Sequence, residues 1–161
     1  MKKWIIIISA LFIVVVIGII IVYYNATKPL KLAEKKAIAI AKQETKLTDF
    51  EEFALYNGEN TYFVLKAKNP KGEDVYVWIA EKDNALIIKR ASDGVSKEEA
   101  VETVYANREP TEIISVRLGV VKIQKTIRPA WEIYYRTENG HSNYYYVDFD
   151  TGEKLRAIDN F

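Results

Sequence analysis

Asp148 and Asp150 lie two residues apart in the stretch YYYVDFDTGEKL, residues 144–155, followed by Thr151, Gly152 and Glu153. Two carboxylates at that spacing suit a metal ion or an acid/base pair. They equally suit a strand end and the tight turn after it. An oxygen-ligated metal needs further donors, and only His141 and Glu153 are close in sequence. Neither a D-x-D-x-D-G calcium loop nor an H-E-x-x-H helix is present. The chain has no cysteine and one histidine, which removes any Cys/His pair. A Ser–His–Asp triad would have to recruit Ser92, Ser96, Ser115 or Ser142, none of which stands on a nucleophile elbow. No glycine-rich phosphate loop occurs, and no pair of acids sits in an apolar setting suited to glycoside cleavage. The expectation is a protein without catalytic residues, metal, cofactor or small-molecule substrate, and so not an enzyme.

The turn reading accounts for the same residues. In an extended strand Tyr144, Tyr146 and Asp148 share one face, and Tyr145, Val147 and Phe149 the other. Asp150-Thr151-Gly152 is then a hairpin loop. Asp150 accepts backbone hydrogen bonds across the turn, and Gly152 supplies the positive φ that such loops require. Asp148 is read as a surface residue.

These strands follow an N-terminal segment expected to lie in a membrane. Lys2 and Lys3 precede an uncharged apolar run from Ile5 to Val22, 18 residues long, broken only by Ser9 and Gly18. As a helix it covers about 27 Å, close to the hydrocarbon thickness of a bilayer. Trp4 and Tyr23–Tyr24 flank it at interfacial positions. Tyr24 is too bulky for the cut that a cleaved leader would need ahead of Ala26. The expected arrangement is a single-pass anchor, residues 1–24, with a cytoplasmic N-terminus and everything after a linker (25–28) outside the cell. Without residues 1–24 the 23 Lys+Arg become 21 against 22 Asp+Glu, a charge of −1. That balance gives no nucleic-acid footprint and no basic patch for anionic lipid.

The rest reads as one unit used twice, over 29–92 and 93–161. Pro29 suits a first helical position, and LKLAEKKAIAIAKQE follows with Ala33, Ala37, Ile40 and Ala41 at helical spacing. Strand patterns then cover 50–56, 61–67, 74–80 and 85–89, separated by turn signals such as Asn57-Gly58. The second unit opens with Ser96 and Glu99 as a capping box. Its strand patterns cover 112–123, 130–136, 142–149 and 153–158. KKAIAIA (35–41) lies over EEAVETV (98–104), Tyr62 and Val64 over Trp131 and Ile133, and YVWI (76–79) over YYYV (144–147). Units of this size are small for independent cores, so the two are expected to pack on each other. Tyr76, Trp78, Tyr144 and Tyr146 lie on strands in surplus of core needs. Such aromatics mark a candidate partner surface.

A short stub, one span and two helix-then-meander units, with YVWI (76–79), SKEEA (96–100) and YVDFDTG (146–152), resemble the PepSY-like proteins, and more closely the YpmB/TseB-type cell wall elongation regulators. The resemblance implies an α+β fold of two tandem cystatin-like units, each one helix on a curved antiparallel sheet. It implies a membrane-bound, non-enzymatic regulator whose partner is a penicillin-binding transpeptidase. Binding of exported peptidases and binding of peptidoglycan are the alternative roles. Residues 81–90 depart from the D-x-x-T-G ending, which makes the first unit the more divergent copy.

Overall fold

The computed structural model describes residues 2–160, with side chains from Phe12 onward; the flanking Lys2, Lys3 and Trp4 side chains lie outside that range. A helix α1 (Lys2–Glu44) leads into four strands, β1 (Thr48–Asn57), β2 (Thr61–Lys68), β3 (Asp74–Ala80) and β4 (Leu86–Arg90). A single 3-10 turn (Ala91–Asp93) connects to α2 (Lys97–Asn107). Four more strands follow, β5 (Pro110–Ile123), β6 (Thr126–Thr137), β7 (Ser142–Asp148) and β8 (Lys154–Ile158). Each set of four is an antiparallel meander in chain order.

Residues 25–28, expected as a linker, and Pro29, expected as a helix start, are both inside α1. The reason is cooperativity. The apolar run ahead of residue 25 is already helical, and extending a formed helix costs far less than starting one. Pro29 removes one amide donor, the one that would reach back four residues. Thr27 Oγ1 meanwhile bonds the Tyr23 carbonyl at 2.9 Å. The stretch Phe12–Glu44 includes a window apolar enough to cross a membrane, with none of that window buried against the rest of the chain.

The first sheet is covered on both faces. Phe63, Leu65, Val75, Val77 and Ile79 pack under Ala37 and Ala41 of α1, where small side chains let helix and sheet approach closely. The opposite face carries Tyr62, Val64, Trp78 and Ala80, which join Leu118, Val120, Trp131 and Phe149 of the second half in one core. Two buried faces explain why YFVL and VYVWIA read as nearly unbroken apolar runs. In the second half α2 places Ala100 and Val104 with Ile133, Tyr135, Tyr145 and Val147.

The strand registers correct the repeat alignment. Leu65 pairs with Val77 under α1, and Ile133 pairs with Tyr145 on the α2 side. Trp131 and Ile133 therefore correspond to Phe63 and Leu65, not to Tyr62 and Val64. The alignment error is one residue, and one residue exchanges the two faces of a strand. The correspondence of Tyr76 and Trp78 with Tyr144 and Tyr146 stands on these registers. The residues inserted in the second half lengthen the β5–β6 hairpin, whose Gln124, Thr126 and Ile127 border a cleft with Ile87 and Lys89 of β4.

Candidate functional site

The Asp148–Asp150 turn is built, but with the roles exchanged. Asp148 is fully buried, and its Oδ1 accepts the backbone N–H groups of Asp150 and Thr151, each at 3.0 Å. Its Oδ2 lies 2.8 Å from Arg128 Nη2, a charge contact whose N–H is not aimed at the oxygen. Asp150, expected to organise the turn, is exposed and pairs instead with Lys89 of β4 at 2.8 Å. The turn begins one position after the strand ends, so the carboxylate that faces back into the loop is the last residue of β7. Gly152 has φ +73°, and its counterpart Asn84 has φ +57°. Both donate N–H to the strand-end carbonyl, Gly152 to Asp148 at 3.0 Å and Asn84 to Ala80 at 2.9 Å. The two turns share a backbone, and the first does without the carboxylate.

Ser96 and Glu99 form the capping box at the start of α2. The Glu99 N–H reaches Ser96 Oγ at 3.2 Å and the Ser96 N–H reaches Glu99 Oε2 at 2.7 Å. These hydrogen bonds hold the Glu99 carboxyl below the usual carboxylate range. His141 is exposed in the β6–β7 turn. Among the described residues, no three His, Cys, Asp or Glu side chains gather in a way that could hold a metal ion.

The polar constellation that does form was invisible in the sequence. Glu132 of β6 is buried, and its Oε2 accepts the Tyr56 hydroxyl at 2.9 Å. Arg117 of β5 donates from both Nε and Nη2 to Glu132 Oε1. Tyr146 lies directly across from Glu132 on β7. Tyr56 belongs to the first half and Glu132 to the second. The Tyr56 ring covers Gly119, where a Cβ would lie 2.3 Å from the ring, and Arg117 lies 5.8 Å above that ring. Burial, reinforced by the Glu132 charge, pushes the Tyr56 hydroxyl far above its ordinary pKa, and the same causes push Tyr146 up to about 12. Tyrosines this reluctant to ionise are donors, not bases. A buried charge with every oxygen engaged holds one geometry, here the placement of one half against the other.

Of the four candidate surface aromatics, two are consumed inside the chain. Trp78 is fully buried and Tyr76 half-buried. Their rings meet Phe149 edge-on at 5.5 and 5.9 Å, and Tyr76 meets Trp131 at 6.4 Å. The sequence could not show that the face opposite α1 is docked. Tyr144 and Tyr146 remain half-buried on the corresponding face of the second sheet. Tyr144 stacks on Tyr134 with centroids 4.8 Å apart and planes 19° off parallel. Tyr134 donates to Ser142 Oγ at 2.9 Å. By register, Arg117, Arg136, Arg156 and Ile158 share this face. The result is an aromatic platform with guanidinium edges, suited to recognition rather than to bond making.

Comparison with known proteins shows what this arrangement is similar to. Residues 36–80 match the family described as "Cell wall elongation regulator TseB-like domain". The chain is 28% identical over 170 aligned positions to the "Probable cell wall elongation regulator TseB" of Bacillus subtilis (strain 168), covering 98% of this chain and 99% of that protein. The solved structure of the YpmB protein from Bacillus subtilis superposes with a TM-score of 0.70 at 28% identity, over 78% of this chain and 95% of that one. This chain therefore carries a TseB-like domain, and its likeness to the Bacillus subtilis proteins extends from that domain over nearly its whole length.

Proposed function

We propose that the chain is a membrane-anchored, non-enzymatic regulator of cell wall elongation that acts by touching a membrane-bound penicillin-binding transpeptidase. Its N-terminus is cytoplasmic and its two PepSY-like units, 29–92 and 93–161, stand outside. The similarity to a protein named as an elongation regulator supports the process. The apolar half of α1 supports the anchor. The observation that carries the contact reading is the Tyr134–Tyr144 platform. The equivalent face of the first sheet is filled by the second half, while Tyr134 and Tyr144 stay partly exposed and stack on each other. A photo-crosslinking side chain in place of Tyr144, in the full membrane-bound protein, tests this. The expected product is an adduct with a transpeptidase. Adducts with an exported peptidase or with glycan strands instead would replace the partner named here.

A further inference from the structure

The balanced charge of the extramembrane part conceals a local arrangement that only an unbroken α1 creates. At 100° per residue, Lys28, Lys31 and Lys35 fall within an arc of about 60°, on the side of the helix away from Ala37 and Ala41. All three are exposed, and none is paired with a carboxylate among the described residues. Glu34 is the one acidic residue between Asn25 and Gln43. Among the described residues the first of α1 to pack against the sheet is Ala33, so residues 25–32 stand between the span and the folded part, outside its core. Leu30 and Leu32 in this stretch are 49% and 56% exposed, apolar side chains that the chain itself does not cover.

Depth assigns the occupant. Lys28 and Lys31 lie about 6 and 10 Å beyond Tyr24 along the axis, and the headgroup layer of one leaflet is about 5–8 Å thick. Cα–Cβ bonds on a helix tilt toward its N-terminus, which for α1 is toward the bilayer. The flexible lysine stems therefore reach back to the headgroups while the leucines lie at the interface. Lys35, about 16 Å beyond Tyr24, reaches back toward the same layer and stands about one Debye length from it. We propose that Lys28, Lys31 and Lys35 form a binding row for the phosphate groups of anionic lipids in the leaflet from which α1 emerges. Because α1 has no break at Pro29, such binding fixes the rotation and tilt of the whole folded part over the membrane.

This inference rests on the anchor reading above, and the test separates the two. The full chain is reconstituted into nanodiscs holding equal phosphatidylcholine and phosphatidylglycerol, and the lipid retained after mild detergent extraction is analysed. The unmodified chain should retain phosphatidylglycerol preferentially, with a preference that shrinks as sodium chloride rises. Lys28→Gln/Lys31→Gln/Lys35→Gln should reduce the preference by about fivefold or more, from about 1 kcal/mol per basic residue near an anionic surface. Lys42→Gln lies on the same side of the helix but about 27 Å beyond Tyr24, and it should change nothing. Circular dichroism of each variant checks that folding is intact. Equal preference in the triple variant, or equal loss in Lys42→Gln, overturns the row. Loss caused by inorganic phosphate but not by chloride of equal ionic strength marks a free-anion site and also overturns the lipid assignment. Failure to enter the disc sinks anchor and row together, whereas entry without lysine-dependent preference sinks the row alone.

Discussion

The two sheets of this protein present corresponding aromatic faces to different surroundings. Tyr76 and Trp78 on β3 correspond in register to Tyr144 and Tyr146 on β7. The first pair is enclosed by Trp131 and Phe149. The second pair lies on a face that is half open, with a stacked tyrosine pair at its centre. The same strand chemistry serves as internal glue in one half and as a platform in the other. What separates the two cases is coverage, not composition. The first sheet has α1 above and the second half below, so it has no face left. In the second sheet α2 and the first half share one side, and on the other side the first half reaches in with Tyr56, which lies over Gly119 and bonds Glu132.

The largest way to break this contrast is to empty the docked face. Trp78→Ala should cost about 3–5 kcal/mol by cavity formation, read as a lower denaturation midpoint in the full chain. Filling the seam comes next. Gly119→Ala places a Cβ against the Tyr56 ring, and overpacking of that kind costs about 1–3 kcal/mol. Tyr56→Ala combined with Gly119→Ala should recover part of that cost in a double-mutant cycle, and strict additivity would mean the two do not meet.

Asp148→Ala should cost about 2 kcal/mol, because it removes a buried acceptor for two turn N–H groups. The corresponding change Ala80→Ser in the first turn should cost less, since that turn closes without a carboxylate. Similar losses at both positions would contradict the division of labour between the turns.

Alkaline pH sharpens the comparison through the Glu132 network. Tyr56 and Tyr146 have raised pKa values in the folded state. The unfolded tyrosine ionises near its ordinary value of about 10, so their contribution is fully present below that pH. It is lost as pH rises above it, toward about 12 for Tyr146. Tyr56→Phe should therefore flatten the fall of stability above pH ~10, measured by urea unfolding across that range. An unchanged slope would remove Tyr56 from the linkage.

The smallest expected effect on stability falls on the platform. Tyr144→Ala should cost about 1 kcal/mol or less, as is usual for a partly exposed site, while abolishing cellular function. Loss of function accompanied by unfolding would make Tyr144 a core residue instead.

Strand periodicity, turn residues and the Ser96/Glu99 box made nearly every element legible, because alternation, positive-φ positions and helix caps are local properties. The apolar run from Ile5 to Val22 likewise marks its own element, a helix long and apolar enough to cross a membrane. Which carboxylate organises the 148–152 turn was not legible. Both aspartates can accept turn N–H groups, and burial against Arg128 chose Asp148. The registers chose Phe63 over Tyr62 as the counterpart of Trp131, a one-residue distinction that weak similarity does not resolve. Glu132 gave no signal at all, because Arg117 meets it only through the β5–β6 register and Tyr56 comes from the other sheet. Coverage is likewise a property of the assembled layers. The sequence by itself determined the elements and the supply of tyrosines and tryptophans on each strand face. Only the tertiary structure decided which of those faces was sealed, because a face is buried by what packs on it and not by what it contains.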